Sequence, residues 1–447
     1  MKQTALTLFF IASTLFGNAQ EDRPNIILFL SDDMGWNDVG YHGAPVETPH
    51  LDQLAADGLR LDRFYVHPIC SPTRAALMTG KLPVRFGITG PLSNSGERGL
   101  PVEEILLSDA FREAGYDTAL IGKWHLGSGE SFHPNARGFD HFYGHLGGMI
   151  DYYDHTQGGN LDWQRNGVSL EEYGYSTDLI AEEAIRFLES RNPAVPLLLV
   201  VPFNAPHGPP QAPEDLVEKY ESKGQSGQVA TRSASIDSMD QAIGTILEAV
   251  RFEGMEDNSI VLFFCDNGAK GSKRGSDHSI GGLALRGGKG EVFEGGIRVP
   301  AVMRWPKEIV AGKISDAFVS VLDLLPTLTA AAGITLEPDG KLDGINRWPA
   351  LSGGDTKRIE PILVVGQRGS SVVLDEPLKL ILKGEETFLY DVVADPLESN
   401  DLALARPGEV ARLQAYLESI SNLGRRGKKG TNRGGKDKSK KRPRTES

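Results

Sequence analysis

Cysteine is almost missing from these 447 residues: there are two, Cys70 and Cys265. That excludes the dense disulfide framework of small secreted domains, and on count alone leaves room for a single bridge. With 40% hydrophobic residues, a chain of this length relies on a large packed core. Long apolar runs are missing too. Lys2 precedes a short apolar run over residues 6–12 and the small-residue stretch Gly17-Asn18-Ala19-Gln20. This is the pattern of a signal peptide over residues 1–19, too short to remain as a membrane span. No later run is long enough for a transmembrane helix, and no cysteine beside the cleavage stretch offers a lipid anchor. The expectation is a secreted or periplasmic protein.

Positive charge is scarce except at one end. The chain totals −13, whereas residues 424–447 hold 11 Lys+Arg against 2 Asp+Glu, and this +9 leaves −22 for the rest. The tail lacks apolar residues and is expected to be disordered. Its charge suits polyanions such as sulfated polysaccharide as well as plain solvation. A nucleic-acid role conflicts with an export leader.

Between the ends, strand and helix signals alternate. Residues 25–30, 118–122, 197–201 and 259–264 are continuous apolar runs, as expected of strands buried on both faces. Helical patterns cover residues 48–58, 107–115, 176–190, 230–252 and 323–333. The order predicts an α/β fold with a large, mostly parallel sheet flanked by helices over residues 20–353. Beyond it, short strands at 362–365, 371–374, 378–382 and 387–391, with a helix from 407 to 421, predict a smaller α+β subdomain with an antiparallel sheet over residues 354–423.

Each of the four apolar strands ends in chemistry. Asp32-Asp33 follows the first, Lys123-Trp124-His125 the second, Asn204-Ala205-Pro206-His207 the third and Asp266-Asn267-Gly268 the fourth. In parallel sheets such ends converge on one crevice. Adjacent carboxylates there repel unless a cation neutralises them, and oxygen donors suit Ca²⁺ or Mg²⁺ over zinc. Cys70 opens a helix in which Pro72 fits the first turn, and Arg74 lies one turn on. The helix N-terminus would favour an anion and lower a thiol pKa. Lys123 and His125, two apart in extended chain, face one side. Lys289 lies in the glycine-rich stretch Leu285-Arg286-Gly287-Gly288-Lys289-Gly290. Singly, these residues read as salt bridges or structural histidines. Together they describe a pocket for a tetrahedral anion beside a divalent cation.

The stretch Cys70-Ser71-Pro72-Thr73-Arg74, continued by Ala75-Ala76-Leu77-Met78-Thr79-Gly80-Lys81, resembles the nucleophile motif of type I sulfatases in the alkaline phosphatase superfamily. Met78 and Lys81 stand where that family usually has Leu and Arg. The resemblance covers nearly all of residues 24–420. It implies that Cys70 is oxidised to Cα-formylglycine (3-oxoalanine) by a formylglycine-generating or anaerobic sulfatase-maturating enzyme. It also implies one Ca²⁺ held by Asp32, Asp33, Asp266, Asn267 and the modified Cys70 side chain. Arg74 would steady the formylglycine hydrate, and Lys123, His125, His207 and Lys289 would bind sulfate and move protons. A disulfide to Cys265 would destroy this centre, so Cys265 is expected to be buried filler. Arg137-Gly138-Phe139-Asp140 and Asp151-Tyr152-Tyr153-Asp154-His155 resemble arylsulfatase B-like and marine polysaccharide sulfatases. The substrate expected is a sulfated carbohydrate such as ulvan, carrageenan or a glycosaminoglycan. Tyr152, Asp154, His155, Arg165 and Lys273 are candidate sugar contacts. A formylglycine-dependent phosphonate or phosphodiester hydrolase, or a non-enzymatic carbohydrate-binding relic, are the alternative readings.

Overall fold

The structure, a computed structural model, describes residues 23–270, 285–336 and 341–426. The stretch expected to be a signal peptide, Lys273 and the basic tail beyond residue 426 lie outside the described residues.

Ten strands form the main sheet: β1 (Asn25–Ser31), β2 (Leu59–Leu61), β3 (Asp117–Lys123), β4 (His141–His145), β5 (Gln164–Arg165), β6 (Val168–Ser169), β7 (Leu197–Pro202), β8 (Ser259–Cys265), β9 (Ala301–Arg304) and β10 (Lys313–Ser315). Their spatial order is β10-β2-β9-β8-β1-β7-β3-β4-β5-β6. The strands β8, β1, β7, β3 and β4 run parallel, and β9 and β5 flank them antiparallel. The four strands expected from apolar runs are thus consecutive neighbours at the centre. Ile26, Ile27, Leu28, Phe29 and Leu30 are all buried, which explains why the run shows no alternation.

The helices α1 (Pro49–Asp57), α2 (Cys70–Thr79), α3 (Leu107–Glu113), α4 (Ser176–Ser190), α5 (Glu214–Ser222), α6 (Gln228–Phe252) and α7 (Leu324–Ala331) fall into two groups. α1, α4 and α5 pack on α6, while α2, α3 and α7 pack on one another. Among the described residues no helix is long and apolar enough to cross a membrane.

Four further strands, β11 (Ile362–Val365), β12 (Ser371–Asp375), β13 (Leu378–Lys383) and β14 (Glu386–Asp391), make the expected small antiparallel sheet. Ile362, Val364, Val372, Leu374, Ile381 and Tyr390 of that sheet share a second core with Tyr65, Phe293, Ile297 and Phe318 of the large domain. The last helix, α8 (Pro407–Arg426), runs five residues beyond the end expected for it, into the stretch expected to be disordered. A formed helix gains a hydrogen bond with each added residue, and Gly424 alone does not stop it.

Candidate active site

The C-terminal ends of β1, β8, β3 and β7 meet, and all ten residues of the expected centre come together there. Asp32 and Asp33 follow β1. The Asp32 amide donates to the Ala205 carbonyl at 2.9 Å and the Asp266 amide to that of Ser31 at 3.1 Å, which ties three strand ends into one floor. Asp33 has a φ of 67°, a left-handed conformation uncommon outside glycine. Arg232 from α6 holds it: its Nη2 donates to the Asp33 carbonyl at 2.6 Å and to Asp38 Oδ2 at 2.9 Å.

Both partners of Arg74 are in the site. Its Nε and Nη2 donate to Asp266 Oδ2 at 2.9 and 2.8 Å, and its Nη1 to the Lys123 carbonyl at 2.6 Å. Lys123, fully buried, is ion-paired with Asp32 Oδ2. Lys289 Nζ lies 2.5 Å from Asp33 Oδ1, and Asn267 Nδ2 donates to that oxygen at 2.8 Å. His207 Nε2 lies 3.7 Å from Asp33 Oδ2.

Each of the four expected metal ligands keeps one buried oxygen without a hydrogen-bond partner: Asp32 Oδ1, Asp33 Oδ2, Asp266 Oδ1 and Asn267 Oδ1. Ligand atoms of Asp32, Asp33 and His207 lie within 4.8 Å of one another. Burial opposes charge on Asp32, yet Lys123, His207, Lys289 and Arg74 hold its carboxyl well below the usual range. Burial and then the Asp32 charge push Asp266 up instead. Two carboxylates this close repel, and the neighbouring lysines and Arg74 favour charge on Asp32 more than on Asp266. Three carboxylates and an amide oxygen form a donor set suited to a hard divalent ion such as Ca²⁺.

Cys70 is the first residue of α2 and is buried as a free thiol. The expectation that the helix N-terminus lowers its pKa is overturned: burial raises it, with Asp266 and Asp32 adding to the rise and Lys123 and Lys289 opposing. The helix field is local, whereas desolvation comes from the whole fold, and desolvation wins. Cys265 is also free and buried, but it is more than filler. Its sulfur accepts from the Met34 amide and donates to the Asn267 carbonyl, both at 3.0 Å, and so spans two ligand-bearing loops.

His125 does not continue the strand of Lys123, as an extended chain would; its φ is 59°. Its Nε2 lies 3.0 Å from the Leu92 carbonyl, which assigns the proton to Nε2 and leaves Nδ1, buried and unpartnered, as a lone pair. Burial, then Lys123 and Arg74, drive its pKa well below the ordinary value, so the ring is neutral at neutral pH.

A family model described as Sulfatase matches residues 24–334, about 70% of the chain. The chain belongs to the sulfatase family. It is a sulfuric ester hydrolase by that membership. It is 31% identical to arylsulfatase J of Mus musculus, over 91% of this chain and 77% of that protein. It is 35% identical to N-acetylgalactosamine-6-sulfatase of Homo sapiens, over 74% of this chain and 66% of that protein. The solved structure of Ps i-CgsB in complex with k-i-k-neocarrahexaose superposes with a TM-score of 0.83 at 32% identity, covering 89% of this chain and 93% of that one. A phosphonate monoester hydrolase of Agrobacterium radiobacter, at 22% identity and a TM-score of 0.63, shares the fold alone.

The expected sugar contacts of this sulfatase are rearranged by burial. Tyr152 is fully buried, and its hydroxyl donates to the Asn204 and His207 carbonyls at 3.0 and 2.9 Å, bracing His207 from behind. His155 is buried against the Trp163 ring, 4.6 Å between centroids, with Nε2 3.1 Å from the Gly174 carbonyl. Arg165 is engaged by Glu183 at 2.7 and 2.8 Å. Of the described candidates only Asp154 keeps an exposed side chain. Reading the sequence also missed the braces: Arg232, Ser71, which donates to the His125 carbonyl at 3.0 Å, and Gly148, which lies against the His125 ring. None of these carries a local signal, since each acts across a long stretch of chain.

Proposed function

We propose that this sulfatase hydrolyses sulfate monoesters of a sulfated carbohydrate of the carrageenan or glycosaminoglycan kind, using Cα-formylglycine made from Cys70 and a Ca²⁺ ion. The observation that carries this reading is the set of four buried oxygens without a hydrogen-bond partner on Asp32, Asp33, Asp266 and Asn267, beside Cys70, Arg74, Lys123, His125, His207 and Lys289. The names of the relatives and the carbohydrate in the superposed complex support the substrate class.

Formylglycine at position 70, as its hydrate, would supply the oxygen nucleophile, and a calcium ion held by Asp32, Asp33, Asp266 and Asn267 would supply positive charge for the sulfate. The chain does the rest. Lys123 and Lys289 are cations preorganised at the pocket wall and hold sulfate oxygens where charge develops. Arg74, fixed by Asp266, steadies the nucleophilic residue. His125 Nδ1 is free to accept a proton, because Nε2 is committed to Leu92. His207 lies at the partly open side and carries the proton for the leaving sugar oxygen. Burial lowers its pKa, and the Asp32 and Asp33 carboxylates beside it oppose that fall. The raised thiol of Cys70 fits a residue that is converted rather than one that attacks as thiolate. The N-terminal stretch supports export, with maturation by a formylglycine-generating partner.

Co-expression with a maturase tests the reading. The Cys70 peptide should lose the mass difference between cysteine and formylglycine, and sulfate should be released from carrageenan or glycosaminoglycan oligosaccharides. Cys70→Ala should abolish release. Sulfate release by Cys70→Ala equal to the parent sinks the scheme. A substrate panel with phosphonate and phosphodiester members separates the alternative activity.

A further inference from the structure

A buried cation sits where the small sheet meets the large domain. Lys379 lies on β13 between Leu374 of β12 and Tyr390 of β14. It shares a face with Ile381, which packs in the second core, so alternation calls for an apolar side chain at 379. Instead its Nζ lies 2.8 Å from Glu294 Oε1 and 2.8 Å from Glu398 Oε1, with all three side chains fully buried. Glu398 has a φ of 53°, a left-handed conformation that glutamate rarely takes. That conformation lets one residue serve twice. Its Oε2 accepts the Glu294 amide at 2.8 Å, and its carbonyl accepts Arg286 Nη1 at 2.8 Å.

Arg286 and Glu294 bracket the turn that carries Lys289. Arg286 also donates to the Tyr390 hydroxyl at 2.9 Å and stacks over Phe293, 4.0 Å from the centroid. The Gly295 amide donates to the Arg286 carbonyl at 2.7 Å and closes the base of the turn. Both ends of residues 286–294 are therefore fastened to the small sheet through Glu398. From that base the Lys289 and Gly290 amides reach the Ala269 and Pro68 carbonyls, each at 2.7 Å, beside the strand end of Asp266 and the approach to Cys70.

We propose that Lys379, with Glu294 and Glu398, is a positioning device for Lys289: the small sheet sets the place of the sulfate-facing lysine through a buried ion cluster. This rests on the role given to Lys289 above. Holding the sheet in place needs no charges, because apolar residues of similar volume in a buried ion cluster are commonly as stable or more so. What the charges add is direction, and direction is what a residue at the reacting centre requires.

The test removes one charge of each sign: Lys379→Met with Glu398→Gln leaves Glu294 facing Arg298 and Tyr65. Two readouts are taken. Hydrogen exchange of the segment 285–296 should quicken on the order of tenfold while strands 25–31 and 259–265 keep their rates. In matured enzyme, kcat/KM for sulfate release should fall roughly 10- to 100-fold. The same pair of changes made on Lys289→Ala should then cost less than about twofold, because the device acts through that lysine. Should the double variant not accumulate as folded protein, Glu398→Gln alone is read in the same way. Uniformly faster exchange, an equal loss in both Lys289 backgrounds, or no loss at all overturns the proposal. If the parent releases no sulfate, the functional reading fails on its own, and the exchange arm still decides whether the cluster holds the turn.

Discussion

Two groups of buried charge in this chain are built to opposite rules. At the ends of β1 and β8, Asp32, Asp33, Asp266 and Asn267 each keep a buried oxygen with no hydrogen-bond partner. At the join with the small sheet, Lys379 stands 2.8 Å from two carboxylates, and the Tyr65 hydroxyl and the Glu294 amide add further hydrogen bonds. An unsatisfied buried acceptor costs about 1–3 kcal/mol, so a fold that leaves four together is poised for a ligand that returns the cost. The compensated cluster offers nothing to a ligand. Its charges hold backbone segments at fixed angles. In the first group the unpartnered oxygens face the proposed chemistry, and in the second the ion pairs brace the turn that carries Lys289.

The sharpest way to break this contrast is Asp33→Asn. Asparagine keeps the size and tolerates the left-handed backbone of residue 33, so the change is confined to the charge and one acceptor oxygen. Turnover should fall on the order of 10²–10³ through loss of one preorganised group. The parent should melt higher in calcium, by about 2.7 kcal/mol of stability at a hundredfold excess over Kd, and lower in chelator. Asp33→Asn should respond less to either. A parent melting curve indifferent to calcium and chelator would remove the cation from the scheme.

A smaller effect is expected at Gly148→Ala. A methyl there would stand 2.5 Å from His125 Cε1 and 2.6 Å from Nε2. The ring is held by the Leu92 carbonyl and has little room to move, so the methyl should displace it or the 147–148 backbone. We expect kcat to drop by roughly 10- to 100-fold with little change in KM. Calcium-dependent melting should stay as in the parent, because the cation-facing oxygens are untouched. Normal kcat in Gly148→Ala would show that the position of His125 is not critical.

Nine of the ten residues of the centre were legible in the sequence because they lie in contiguous stretches at strand ends or in the first two turns of α2, and Lys289 stood out in its glycine-rich stretch. The central strands were legible because burial on both faces writes an unbroken apolar run. The rest depends on distance along the chain. Tyr152 and His155 sit in a polar, aromatic stretch that reads as surface, and only packing by Tyr175 and Trp163 draws them inside. The thiol shift at Cys70 was misjudged because the helix end is visible in sequence and burial is not. Lys379 lies in the strand pattern Leu378-Lys379-Leu380-Ile381-Leu382, where one charge looks like an ordinary exposed position; its partners Glu294 and Glu398 are 85 and 19 residues away.

Asp240 on α6 is a third case between the two clusters: a buried acid with hydrogen bonds but no cation. Its oxygens accept the His50 and Leu51 amides at 3.0 and 2.8 Å in the first turn of α1. Burial pushes its pKa up to about 7, Asp52 and Asp237 add to the rise, and the two amides oppose it. The folded state therefore prefers the protonated acid. That contribution to stability is fully present below the unfolded value near 3.8 and is lost as pH rises through about 7. One proton sets the slope at no more than about 1.4 kcal/mol per pH unit. Asp240→Asn carries a fixed penalty for one lost acceptor, equal at every pH, but no ionisation. Its melting temperature relative to the parent should rise between pH 5 and pH 8, and thermal melts at the two values measure the change. A flat difference would mean that this carboxylate ionises in the fold as freely as in the unfolded chain, and that two backbone amides can stand in for a cation.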